Sequence, residues 1–424
     1  MIILTTSGRN CLMPFPWQRW SPYCISLLAL SKNIWYNSKG ALYRMKFLVL
    51  GCGMQGRAVI YDLLQSSDVK SVLATDVDLS GVEGDPLFQD DRCSQQVCDA
   101  TDEAALRAIM KEGFDVVVDM LPVPFARPVA EVAIAEGVHM VNANYGKDLY
   151  NLHDKAKSAG VTLFPESGLD PGIDLILCGE MLRYFDEIYE LNSYGGGLPE
   201  LSAADNLLKY KITWTYEGVL KSYSDDARIL KEGEIIDISC ETLFDEENIH
   251  YVDVPSLGAM EATPNRDALR FVEQMGIGDS CHTAGRYTLR WPGHATAMRP
   301  FSNLGFLSTE PLKKGLPSPR DFLREVLEPK LQLGAQERDV IVIRVEAAGM
   351  RGGEEERVIQ HVIDYRDRET GFTAMNRTVG YTASIMAQMV ARGEISSRGV
   401  LSPLYDVPYD KFMEELSHRG ITVE

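Results

Sequence analysis

The sequence predicts an α/β fold: a parallel sheet with helices on both faces, followed by an α+β domain. Three observations carry that expectation. Short apolar strands alternate with helical stretches from Met45 to Phe164. A glycine-rich turn closes the first of these strands. Beyond Glu190 the pattern changes to strand-like runs separated by turns, the texture of an α+β unit.

The first strand is Met45-Lys46-Phe47-Leu48-Val49-Leu50, followed at once by Gly51-Cys52-Gly53-Met54-Gln55-Gly56. A helix is expected over Arg57–Leu64, where Val59/Leu63 and Ile60/Leu64 repeat at helical spacing, and a second strand over Ser71–Thr75 ends in Asp76. A Gly-x-Gly-x-x-Gly turn between strand and helix, with an acid 20 residues past its last glycine, is the fingerprint of a Rossmann dinucleotide site. Gly51 allows the tight turn, Gly53 admits the pyrophosphate, and Gly56 lets helix and strand pack closely. The N–H groups around Met54 and Gln55, with the positive end of the helix, hold the phosphates. A carboxylate at Asp76 accepts from a ribose 2′-hydroxyl and repels a 2′-phosphate, so the expected cofactor is NAD.

Further strands are expected at Gln95–Asp99, Asp115–Met120, Val138–Asn142 and Val161–Phe164, with a helix over Ala126–Glu136. Ligands in such sheets sit beyond the carboxyl ends of the strands. That places Asp99, Leu121, Pro122, Asn142, Asn144, Tyr145 and Glu166 near the cleft. In Gly168-Leu169-Asp170-Pro171-Gly172-Ile173-Asp174, Asp170 suits an N-cap and Pro171 a first helical position, ahead of a helix over Leu175–Tyr184. Strand-like pieces follow at Glu190–Tyr194, Tyr210–Thr215, Ile235–Ser239, Tyr251–Val254 and Tyr287–Arg290. Asp339–Val345 and Val358–Tyr365 read as paired strands around Met350-Arg351-Gly352-Gly353, and Thr373–Ala391 as an apolar helix.

The 424 residues carry 42 Lys+Arg against 61 Asp+Glu, a net charge of −19. That balance argues against nucleic acid or an anionic membrane as partner. No apolar run reaches the ~18 residues of a spanning helix. The eight Cys are scattered without a CxxC pair, which fits free thiols in the cytoplasm, and no His/Cys spacing points to a metal. Residues 1–44 hold five basic residues, no acidic one and three of the five Trp. They read as an atypical upstream extension, with a targeting segment built on Cys24–Leu30 as the alternative.

On Gly51–Gly56, on Gly168–Asp174, on Gly196-Gly197-Leu198-Pro199, on Tyr210–Trp214, on Leu289–His294 and on Thr373–Tyr381, the chain resembles the saccharopine dehydrogenase family, including saccharopine reductases and lysine 6-dehydrogenases. The resemblance implies a Rossmann domain over 45–170, an α+β catalytic and dimerisation domain over 171–372, and a C-terminal segment, 373–424, returning to the Rossmann side. It also implies a homodimer and hydride transfer between a nicotinamide cofactor and the C–N bond of a lysine-derived amine. Saccharopine reductases usually carry an Arg after the Lys-x-x-Trp segment, where this chain has Glu217, and they prefer NADP. Both departures point to a lysine 6-dehydrogenase-like oxidative deamination. Saccharopine reduction or polyamine synthesis is the alternative, and a non-catalytic NAD sensor the alternative of another class.

Hydride departure requires a neutral amine, so a base must take a proton from the substrate ammonium. Tyr145, Lys211 and Asp170 are the candidate catalytic residues, with Leu169-Asp170-Pro171 placed beside the nicotinamide. A desolvated Lys211 can lose its charge. Glu217 is expected to face the substrate ammonium, Arg290 to clamp a carboxylate, and His294 to shuttle protons. Trp214 is expected to line the substrate methylenes and Asp174 to hydrogen-bond within the cleft.

Overall fold

A computed structural model describes residues 44–424, which form one compact unit. The N-terminal extension and its alternative reading as a targeting segment lie outside the described residues.

The first sheet is wholly parallel. Its strands are β1 (Met45–Leu50), β2 (Val69–Asp76), β3 (Cys93–Val97), β4 (Val116–Asp119), β5 (His139–Asn142), β6 (Thr162–Phe164) and, from the far end of the chain, β15 (Gly399–Val400), in the order β15-β6-β5-β4-β1-β2-β3. β4 is buried on both faces, as central parallel strands are, which is why it reads as an unbroken valine run. Helices α1 (Met54–Gln65), α2 (Glu103–Met110), α3 (Val123–Glu136) and α4 (His153–Ser158) connect the strands. Winding reverses where β1 lies between β2 and β4, and such a switch point opens a crevice at the carboxyl ends of those strands. Leu50 pairs with Asp119, and Asp119 with Asn142, so three strand ends meet there.

The second sheet is mixed. After α5 (Ile173–Tyr184) come β7 (Glu187–Pro199), α6 (Tyr216–Ser224), β8 (Ala227–Lys231), β9 (Glu234–Ile238), β10 (His250–Val254), β11 (Gly258–Pro264), α7 (Leu269–Met275), β12 (Thr283–Arg290), α8 (His294–Asn303), α9 (Pro319–Leu327), β13 (Asp339–Arg351) and β14 (Glu354–Tyr365). The order is β10-β11-β12-β7-β13-β14, with β8 and β9 branching from β12; the β7–β12 pair is parallel and the others antiparallel. β13 and β14 form a long hairpin whose two turn residues, Gly352 and Gly353, both take positive φ (60° and 89°), matching the twist of the strands.

Two local expectations fail. Tyr210–Thr215 is irregular, touching other backbone through an isolated Ile212–Gln332 bridge; Tyr210 is drawn into an aromatic core, and Asn206 Nδ2 donates to its carbonyl (2.7 Å). Asp170 is not a helix cap: α5 starts at Ile173 after Gly172, and the Asp174 carboxylate accepts from Gly172 N (2.8 Å).

The helix α10 (Ala374–Ala391) is buried along almost its whole length and packs against α1. Thr373 and Asn376 close its N-terminus by reciprocal capping bonds of 3.1 and 3.2 Å. Asp339 of β13 accepts from the Ala374 and Met375 N–H groups, tying the second sheet to this helix.

Candidate functional site

The glycine turn has the geometry of a phosphate cradle. Gly51 takes φ 95°, and a Cβ on Gly56 would lie 1.8 Å from the Gly51 carbonyl oxygen. Nothing lies within 4 Å of a Cβ built on Gly53, which caps α1 without a side-chain bond. The first turn of α1 therefore offers N–H groups to a ligand, and no acidic side chain occupies them. Met54 is exposed at that turn, while Gln55 turns inward with its Oε1 buried and unpartnered.

Two clefts flank the turn. The first is bordered by Gly53, Met54, Asp76, Asp78 and, from the start of α10, Phe372 and Asn376. Asp76 ends β2 there; its Oδ2 accepts from Cys52 N (2.7 Å). Arg57 also borders this cleft, but its guanidinium is bound to Asp85. The second cleft, about 290 Å³, runs between the two sheets. Gln55, Asp119, Leu121, Asn144 and the Leu169–Pro171 turn form one wall; Gly195–Gly197, Trp214, Asn265, Arg266, Thr288 and Arg290 form the other. Bare glycines on β7 keep that wall open: a Cβ on Gly195 would meet Asp170, and one on Gly197 would meet Met375 and Thr213.

The charge pattern of this cleft is distinctive. Arg290 is 5 % exposed, and its guanidinium donates to the Tyr223 hydroxyl (2.8 Å) and the Leu289 carbonyl. Arg266 takes a left-handed backbone (φ 59°) and donates to the Tyr145 hydroxyl. Among the described residues neither guanidinium is paired with a carboxylate. A buried cation without an anion is costly, so Arg290 is a ready anion site, and the part-buried Arg266 beside it adds a second unpaired positive charge to the same wall. Arg286 is already neutralised: it donates to Asp170 and Asp174 and stacks on Phe271 (4.2 Å). Burial, and Asp170 next, push the Asp174 carboxyl well up.

Several residues expected at the substrate lie elsewhere. Glu217 borders neither cleft; its half-exposed carboxylate bridges Arg320 and Arg324 at 3.0 Å each. It stands in the first turn of α6, and two guanidiniums beside α9 claim it. Lys211 is bound to Glu337 and Asp205 outside the clefts; burial opposes its charge, but those bonds outweigh it and hold the ammonium above its ordinary value. In this arrangement its ammonium is held charged. His294 is buried, with Nδ1–H donating to the Leu208 carbonyl (2.6 Å) and Nε2 accepting from the Tyr223 hydroxyl (3.0 Å). Burial, with Arg290 nearby, lowers its pKa to about 3, so it stays neutral and orients Tyr223 rather than shuttling protons.

Tyr145 lies behind the cleft wall, its hydroxyl accepting from Arg266 and Arg286, and burial keeps the phenol above its ordinary value. Asp174 likewise sits behind Asp170, out of the cleft. Asp99 is exposed and closes a turn onto Thr101, and Pro122 is exposed as the N-cap of α3; neither borders a cleft. Asn142 is buried beneath Asp119. Asp170, Trp214, Arg290, Leu121, Leu169 and Pro171 do border the substrate-side cleft.

Sequence reasoning missed Asp119, Asn265, Arg266 and Arg286. One signal was available: Arg286, Thr288 and Arg290 alternate along one strand and so share a face. Nothing in the sequence marks Arg266, which reaches the cleft from a loop after β11.

Among the described residues no helix is long and apolar enough to cross a membrane. The family model described as Saccharopine dehydrogenase NADP binding domain matches residues 47–164, and that described as Saccharopine dehydrogenase C-terminal domain matches 168–421. The chain is 28 % identical over 445 residues to mouse mitochondrial alpha-aminoadipic semialdehyde synthase, covering 89 % of this chain but only 47 % of the mouse protein, so it spans about half that relative's length. It is 27 % identical to saccharopine dehydrogenase [NADP(+), L-glutamate-forming] of Pyricularia oryzae, covering 88 % of this chain and 96 % of the fungal one. The fold matches apo saccharopine dehydrogenase (L-Glu forming) from Saccharomyces cerevisiae with a TM-score of 0.79 at 25 % identity, over 90 % of this chain and 99 % of that one.

Proposed function

The chain belongs to the saccharopine dehydrogenase family, and on that premise we propose that it is an NAD-dependent oxidoreductase acting on the C–N bond of an amino acid that bears at least two carboxylates, a saccharopine-type secondary amine. The observation that carries this reading is the pair of unneutralised guanidiniums, Arg266 and Arg290, on one wall of the substrate-side cleft. Lysine, with one carboxylate, would leave one of them without an anion. Of the two features that point to lysine, Glu217 faces Arg320 and Arg324 instead, and the Asp76 preference for NAD concerns the cofactor rather than the substrate's carboxylates.

When bound, the nicotinamide dinucleotide supplies the hydride acceptor. The glycine turn and the first turn of α1 hold its phosphates. Asp76 and Asp78 favour ribose hydroxyls over a 2′-phosphate, which supports NAD although the matching family model is described as NADP-binding. Arg266 and Arg290 hold the substrate carboxylates, and Trp214 covers the chain between them. In this reading Asp170, which lines the cleft and is held by Arg286, takes the proton from the substrate nitrogen.

Steady-state rates with NAD and NADP against saccharopine and lysine test the reading. It expects NAD reduction with saccharopine and little with lysine. Turnover of lysine without turnover of saccharopine, or a strong preference for NADP, overturns it.

A further inference from the structure

Asp119 is the carboxylate in the substrate-side cleft to which no role has yet been given. It ends β4 at the switch point, between Leu50 of β1 and Asn142 of β5. It is 0 % exposed and still forms part of the cleft wall. Its Oδ1 accepts from Leu121 N (3.0 Å), and its Oδ2 accepts a long bond from Asn142 Nδ2 (3.4 Å). Among the described residues no cation pairs with it. The next residues, Met120 and Leu121, lie 3.3 Å from the position a Cβ would take on Gly51, so Asp119 stands directly beyond the phosphate turn. Asn142 Oδ1, its neighbour, is buried without a partner.

A buried carboxylate without a cation is unstable unless it is neutral or a bound ligand brings positive charge. Desolvation accordingly raises its pKa to about 7. The dinucleotide half that reaches this cleft is the nicotinamide, whose ring is cationic when oxidised and neutral when reduced.

Resting on the dinucleotide reading, we propose that Asp119 is the counter-charge of the oxidised nicotinamide, ionised while the cationic ring is bound and protonated once the ring is reduced. Oxidation of the amine moves a hydride from the substrate carbon to the ring, leaves an iminium, and releases the one ammonium proton to Asp170; Asp119 takes up a separate proton from solvent as the ring loses its charge. The other charged groups of the cleft are Asp170, Arg266 and Arg290; its remaining lining residues, Gln55 of α1 and Met375 and Val379 of α10 among them, are uncharged.

The test is the dissociation constant of NAD+ and of NADH, by titration calorimetry and fluorescence, from about pH 5.5 to about pH 8.5. In the wild type, NAD+ binding should weaken by up to about tenfold per pH unit below the Asp119 pKa, while NADH binding does not. In Asp119→Asn, an isostere of the neutral acid, NAD+ should bind more weakly than to wild type at pH 8, and the NAD+/NADH ratio should no longer change with pH. A wild-type ratio that is constant with pH, or a pH-dependent ratio that persists in Asp119→Asn, overturns the proposal. The wild-type ratio decides the matter if the variant does not fold. Failure of the chain to bind either NAD or NADP would defeat the dinucleotide reading instead, which separates the two failures.

Discussion

Arg286 and Asp174 meet at 2.9 Å with both side chains almost sealed from solvent, and the same guanidinium also holds Asp170 at the cleft surface. One buried cation from β12 thus fixes two carboxylates on the segment that opens α5. Arg286→Met should leave two neighbouring acids unneutralised and cost about 3–5 kcal/mol, as breaking a buried ion pair does. A urea denaturation midpoint that does not move would contradict this.

Glu217 provides a contrasting expectation. Its carboxylate is half-exposed and stays in reach of water although Arg320 is largely buried, so Glu217→Gln should cost only about 1 kcal/mol. It should leave KM for any amine substrate within about twofold of wild type. A large rise in KM would restore the residue to the substrate site.

Lys211→Met should lower stability by about 1 kcal/mol and leave the pH profile of kcat unchanged, because its ammonium is held charged by Glu337 and Asp205. The profile itself is the readout: loss of its basic limb in the variant would show that Lys211 titrates in catalysis after all.

Asp119 makes the stability of the unliganded protein depend on pH. Its folded pKa, about 7, lies above the ordinary carboxylate value, so the folded state binds the extra proton. Stability is therefore intact below about pH 4 and falls as pH rises toward 7. Asp119→Asn stays neutral and should melt on the order of 2–4 °C above wild type at pH 8, with the gap closing at pH 4. Parallel melting curves at both pH values would contradict the assignment.

Gly56→Ala should abolish dinucleotide binding. The added carbon would lie 1.8 Å from the Gly51 carbonyl and must push α1 off the turn. Dinucleotide affinity by titration calorimetry reads this directly, and retained binding would mean that the turn relaxes without losing its N–H geometry.

The Rossmann half was legible because its signals are local. The glycines, the acid ending β2 and the buried valines of β4 each act within a few residues of themselves, and their periodicity names the element. The hairpin of β13 and β14 was legible for the same reason, through Gly352-Gly353. The substrate wall was not. Arg266 reaches the cleft from a loop, and Arg286 lies behind the wall, brought to Asp170 through the parallel pairing of β12 with β7, a contact between distant parts of the chain. Glu217 and Lys211 were misjudged because partners more than 100 residues away, Arg320, Arg324 and Glu337, absorb their charges. His294 looked like a titrating group until its burial and its bonds to Leu208 and Tyr223 were seen.

The central claim is that Arg266 and Arg290 together receive two carboxylates of the substrate. A crystal structure of the protein with NAD and saccharopine tests it most directly. The account predicts one substrate carboxylate on each guanidinium, with the secondary nitrogen beside Asp170. Carboxylates bound elsewhere, or a ligand nitrogen resting against Glu217, would contradict it.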